Sequence, residues 1–208
     1  MHPSVQVLWR AYLRSIGETP TAISKTFAGW SFGDTDALAD ELLELVLAGV
    51  KWATPPSVWE LEARGEPMPQ PGDLHVITDS AGVARCIIRT TRVLIKPFNE
   101  VGSEYARSEG EGDGTLAYWR RTHGAYYERV LADTDYASRP EMPAVCEQFE
   151  VVFHGGRKPY PLPQRRRVSS CRRPIWCVWT SGASGYPLRP LYVIGPMPNR
   201  DIVQPRDA

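Results

Sequence analysis

Apolar residues recur at helical spacing in several stretches of the chain and at strand spacing, or in short continuous runs, in the others. Val5, Leu8, Trp9, Tyr12, Leu13 and Ile16 fall three and four apart. They share one face of a helix that His2-Pro3-Ser4 opens and Gly17 ends. Residues 17–33 read as a connection with a short strand around 24–30. Leu38, Leu42, Leu45 and Val46 make a second stripe, with Asp40, Glu41 and Glu44 on the opposite side. Asp34 or Thr35 can cap this helix, and Gly49 stops it where a left-handed residue is wanted. A short strand then carries Lys51 and Thr54 until Pro55-Pro56 ends it. Ser57 starts a helical turn through Val58, Trp59 and Leu61, and residues 65–72, with three prolines between two glycines, form a rigid loop.

Residues 73–78 and 83–95 read as two strands joined at Asp79-Ser80-Ala81-Gly82, a hairpin signal, and Pro97 ends the second. Residues 98–108 look helical, Gly110, Gly112 and Gly114 break the chain, and residues 116–131 form a longer helix rich in aromatics. An alternating strand over 145–153 closes the series. The order is helix, helix, strand, hairpin, helix, helix, strand, which predicts an α+β fold built on a small mixed or antiparallel sheet, curled toward a barrel. The regular βαβ alternation of a doubly wound sheet is missing, as are a dinucleotide glycine fingerprint, a phosphate loop and an internal repeat.

Charge divides the chain. Its 208 residues carry no formal net charge, yet residues 1–156 hold 14 Lys and Arg against 22 Asp and Glu, and residues 157–208 hold 10 against 2. The acidic body lacks the phosphate-neutralising surface of a non-specific nucleic-acid binder. Any nucleotide it recognised would have to enter a local basic pocket. The segment 157–208 is basic and rich in proline, with its apolar residues scattered, and is expected to be disordered. Residues 1–26 read as a helical extension and 27–156 as the main domain.

Cys86 and Cys146 lie in apolar strand-like runs and read as small buried hydrophobes. Cys171 and Cys177 lack a nearby His pair, so no metal site is expected there. No apolar run approaches the ~20 residues of a membrane span, and the N-terminus lacks a charged-then-apolar leader. A reduced, cytoplasmic setting is expected.

Two stretches carry candidate chemistry. Gly49-Val50-Lys51-Trp52-Ala53-Thr54 offers an ammonium and a hydroxyl, and Glu109-Gly110-Glu111-Gly112-Asp113 offers carboxylates between glycines. Lys51 either snorkels from a strand edge or faces a cleft, where burial would lower its pKa and carboxylates would raise it. Thr54 is either a β-branched strand residue or a hydroxyl nucleophile turned toward Lys51 by a bend at Pro55-Pro56. The acidic stretch is either a solvated loop or a sharp turn that aims one carboxylate into a pocket, and Asp113 is the better candidate for capping the next helix. Trp119 and His123 share a helix face at i and i+4. His123 is either a structural residue or one that titrates near neutrality.

These pieces together resemble the ASCH domain family, a PUA-like β-barrel fold of RNA-linked proteins. The resemblance runs from Ala39-Asp40-Glu41-Leu42 through the Lys51 stretch, Trp59-Glu60 and Pro69-Gln70-Pro71-Gly72-Asp73. It continues through the acidic stretch and Trp119-Arg120 with His123, and ends at Val145-Cys146-Glu147-Gln148-Phe149, covering roughly residues 27–153. It implies a hydrolase acting on RNA as a ribonuclease, or on the amide of N4-acetylcytidine through a Lys, a Thr three residues later and a downstream Glu. The alternative is a non-catalytic RNA-binding module using the same pocket.

Lys51 and Thr54 match the Lys and Thr. Glu109 and Glu111 both align with the Glu, and Glu109 is preferred. Trp52, Ser57, Glu111, Trp119 and His123 are then expected to contact substrate. No cofactor is required, although a loop carboxylate could recruit a divalent ion. The pattern departs at the fifth position after the Lys, where similar proteins carry Ser or Arg and this chain has Pro56, followed by Ser57.

Overall fold

In the computed structural model, residues 1–18 and 27–154 are described. The expectation of disorder for the basic segment 157–208, and those for Cys171 and Cys177, lie outside them. Helix α1 (Pro3–Ser15) starts with Pro at its first position, and the His2 side chain accepts from the Ser4 N–H. Its apolar stripe packs Val5, Leu8, Trp9, Tyr12 and Leu13 on Leu74, Val76 and Ile87 of the sheet. Strand β1 (Ala28–Trp30) follows. Helix α2 (Asp36–Leu47) is capped by Thr35 and packs Leu42, Leu43 and Val46 on Ile77, Ile88 and Phe149. The two helices thus cover opposite faces of strand β3 (Leu74–Thr78), whose alternate residues point to opposite sides.

Strand β2 is only Ala53–Thr54, so Lys51 sits in its extended lead-in. Helix α3 (Val58–Arg64) begins with a reciprocal cap between Ser57 and Glu60. Strand β4 (Ala84–Pro97) makes the expected hairpin with β3. The helix expected over 98–108 is split into a 3₁₀ turn (Phe98–Glu100) and α4 (Ser103–Glu109), with Val101 extended between them. Helix α5 (Leu116–Val130) is capped by Thr115, and Asp113, expected in that role, instead accepts from the Thr115 N–H at 2.8 Å. Strand β5 (Pro143–His154) completes the sheet.

The sheet order is β1-β3-β4-β5-β2, with β1 parallel to β3 and every other pair antiparallel. It is mixed, as expected, but it does not close into a barrel. Closure would need β1 to pair with β2. Three and two residues give those edges little ladder to share, and Pro55-Pro56 cuts β2 short. Cys86 and Cys146 are free and buried, as expected.

Candidate active site

A cavity of about 470 Å³ opens between the two edge strands, lined by Ala28, Gly29 and Trp30 on one side and by Thr54, Pro55 and Pro56 on the other. That volume falls in the range that holds a nucleoside-sized ligand.

Lys51 enters it from the β2 lead-in. Gly49 has φ +71° and turns the chain out of α2. The opposing Glu109 ends α4, and Gly110 follows in the left-handed conformation at φ +65°. A Cβ on Gly110 would meet the Val50 backbone oxygen at 2.7 Å. Only glycine lets the two stretches approach this closely, and the Trp52 N–H bond to the Ser108 carbonyl, 3.0 Å, fixes their alignment.

The Lys51 ammonium is 2 % exposed and donates to Glu109 Oε2 at 3.1 Å and Glu111 Oε1 at 2.6 Å. It also sits 5.6 Å from the centroid of the Phe32 ring. Burial alone would lower its pKa, but Glu109 and Glu111 outweigh burial and hold it above its ordinary value. Glu109 is fully buried. Its Oε1 accepts from the Trp119 indole N–H, and its Oε2 lies 3.3 Å from His123 Nε2. Burial works to raise this carboxyl, yet His123 and Lys51 together hold it below the usual range.

His123 Nδ1 lies 3.0 Å from the Trp119 carbonyl, an oxygen that can only accept, so Nδ1 carries a proton. Nε2 faces a carboxylate, and the Glu109 charge overrides burial and raises the ring's pKa. An imidazolium fits both contacts. Lys51, Glu109, Glu111 and His123 therefore form a wall whose two positive and two negative charges cancel. Oxygens of Glu109 and Glu111 and a nitrogen of His123 lie within 4.8 Å of one another, a spacing that could hold a metal ion, but here the ammonium bridges the two carboxylates.

Thr54 is half-buried and lines the cavity, and its hydroxyl has no hydrogen bond among the described residues. The cavity thus brings together Lys51, Thr54, Glu109, Glu111 and His123. Trp52, Ser57 and Trp119 do not line it. Trp52 is partly exposed in the lead-in to β2, Ser57 is buried as the cap of α3, and Trp119 acts through its bond to Glu109.

Other groups in the lining were not singled out from the sequence. Tyr126 donates to Glu60 Oε1 at 2.6 Å, and Arg64 lies 3.0 Å from the same oxygen. Arg129 donates to Asp34 at 2.7 Å. Glu147, 5 % exposed, accepts from the Thr90 hydroxyl at 2.5 Å. Burial pushes Glu147 above the ordinary carboxylate range, Thr90 opposes this and Asp73 adds to it. Both nitrogens of His75 are buried with no partner among the described residues, and burial lowers that ring's pKa. A histidine inside the apolar run Leu74-His75-Val76-Ile77 is a signal readable in the sequence.

A profile of the ASCH domain family matches residues 28–153. The chain is also similar to a crystal structure of an ASCH domain from Lactobacillus crispatus, with 32% identity and a TM-score of 0.68 over 74% of this chain and 97% of that one. A protein from Enterococcus faecalis gives 33% identity and a TM-score of 0.65 over 73% and 90%. No functionally curated protein matches. The chain belongs to the ASCH domain family, with an α+β, PUA-like fold whose sheet stays open. No helix among the described residues is long and apolar enough to cross a membrane.

Proposed function

We propose that this ASCH domain hydrolyses the amide of a small N-acylated nucleoside such as N4-acetylcytidine. Thr54 is the nucleophile, Lys51 stabilises the oxyanion, and Glu109 with Glu111 holds Lys51 in place. The carrying observation is that a buried, carboxylate-bound ammonium and a free threonine hydroxyl share one nucleoside-sized cavity. A lysine held charged cannot take a proton, so its part is electrostatic: it supports the negative oxygen that forms when the hydroxyl attacks the acyl carbon.

The family is generally RNA-binding, but the lining charges argue against a polyanion as the occupant. Glu60, Glu66, Asp73, Glu109, Glu111 and Glu147 face the cavity against Lys51, Arg64, His123 and Arg129, and each of those cations is already paired with a carboxylate. Phosphate binding draws on free cations, whereas a neutral nucleoside needs none. Pro56, which replaces a polar residue in the lining, favours a second reading in which the pocket binds a nucleoside of RNA without turnover.

Purified protein incubated with N4-acetylcytidine and with single-stranded RNA, each with and without a chelator, separates these readings by product mass. The expected products are cytidine and acetate from the amide, made equally with chelator, and intact RNA. Thr54→Ala should abolish the reaction while Thr54→Ser retains part of it. Undiminished turnover by folded Thr54→Ala would remove the mechanism, and binding without product would leave the second reading.

A further inference from the structure

We infer that Glu147, rather than Glu109, is the group that takes the proton from Thr54 and returns it to the leaving nitrogen; this rests on the hydrolase reading above. The register of the sheet supplies the geometry. Thr54 of β2 stands directly opposite Glu147 of β5. Residues so paired point to the same face with Cβ atoms roughly 5 Å apart, and both line the cavity. The Pro56 carbonyl accepts from Val145 at 2.7 Å and the Trp52 carbonyl from Phe149 at 2.9 Å, which pins the register on either side. The Tyr105 hydroxyl holds the Glu147 carbonyl at 3.2 Å.

The bonding of the two carboxylates differs. Both oxygens of Glu109 are engaged, Oε1 by Trp119 and Oε2 by Lys51 and His123. Glu147 gives Oε1 to the Thr90 hydroxyl, while Oε2 has no hydrogen bond among the described residues and is not sealed in protein. No cation pairs with Glu147 among the described residues, and Asp73 is the charged group acting on it. A carboxyl raised toward the working pH is the better proton carrier, and Glu109, held low, is the poorer one.

The step balances. The Thr54 Oγ–H proton passes to the Glu147 carboxylate as the Oγ–C bond forms at the acyl carbon, and the carbonyl oxygen becomes negative beside Lys51. Collapse breaks the C–N bond, and Glu147 returns the proton to the nitrogen, which leaves as the amine. Water then attacks the threonine ester. Glu147 takes the water's proton and gives it to Thr54 Oγ, which releases the carboxylic acid.

The test is hydrolysis of N4-acetylcytidine by the full chain, comparing wild type with Glu147→Gln, Glu147→Asp and Thr54→Ala, each checked for folding by circular dichroism. Glu147→Gln should lose about 10²–10⁴-fold in kcat with KM little changed. Glu147→Asp should recover part of that rate, and the acidic limb of the kcat/KM profile should vanish in Glu147→Gln. A Glu147→Gln rate within a few-fold of wild type, with Thr54→Ala inactive, overturns the role of Glu147 and leaves the hydrolase reading standing. No hydrolysis by wild type overturns both.

Discussion

The two sides of the cavity treat buried charge in opposite ways. On the Lys51 side, ammonium, imidazolium and two carboxylates are cross-bonded, and Glu109 favours the charged forms of Lys51 and His123 as they favour its own. On the Glu147 side, a carboxyl is buried against a hydroxyl, and no cation answers it among the described residues. Cross-bonding of this kind fixes where each group points, which suits positioning. An unanswered acid costs stability and titrates closer to neutrality, which suits proton transfer.

The largest test of this contrast removes the cation. Lys51→Ala leaves Glu109 and Glu111 with only His123 to balance them, and breaking a buried pair in this way costs about 3–5 kcal/mol. A urea melt should show the loss. A change within a few tenths of a kcal/mol would mean that the wall is far wetter than its burial indicates. Gly110→Ala comes next. It forces a side chain into a left-handed conformation and against the Val50 backbone, so a loss of about 2 kcal/mol is expected in the same melt. An unchanged midpoint would sever the link between the close approach and the site.

The smallest effect has the opposite sign. Glu147's folded pKa is raised, so its contribution is full below the ordinary 4.5 and lost as pH climbs through the raised value. At neutral pH the ionised group therefore weakens the fold, and Glu147→Gln should melt a few degrees higher than wild type at pH 7, with the advantage shrinking below pH 4.5. Glu109 runs the other way: its folded pKa is lowered, so its contribution is full above 4.5 and lost as pH falls through that lowered value. A Glu147→Gln melt equal to or below wild type at pH 7 would erase the contrast between the two sides.

Much of the first side was legible in the sequence. Gly49 after a helical stripe, Lys51 in an apolar setting and acids between glycines are local signals, and the resemblance joined them. The spacing of Lys51 and Thr54 did not reveal that they line one cavity, because that depends on the tertiary contact of Gly110 with Val50; the expected bend at Pro55-Pro56 is not there, since residues 52–57 run on alongside β5. The second side was hidden for a different reason. Both faces of the sheet are covered, so the alternation in Cys146-Glu147-Gln148-Phe149 does not mark which residues meet solvent. Glu147 faces Thr54 only because β2 and β5, far apart in the chain, are paired. The barrel expectation failed where two short edge strands could not be judged for length, and the gap they leave is the cavity itself.

The cancellation along the Lys51 wall has an outward consequence. A surface with no net charge exerts no long-range pull, so it neither gathers anions from solution nor repels them. What it offers a visitor is a fixed pattern of local dipoles, felt only at contact. Selection at that wall is therefore by shape and by the placement of polar atoms, and the bias against anions comes from acids elsewhere in the lining, such as Glu66, Asp73 and Glu147.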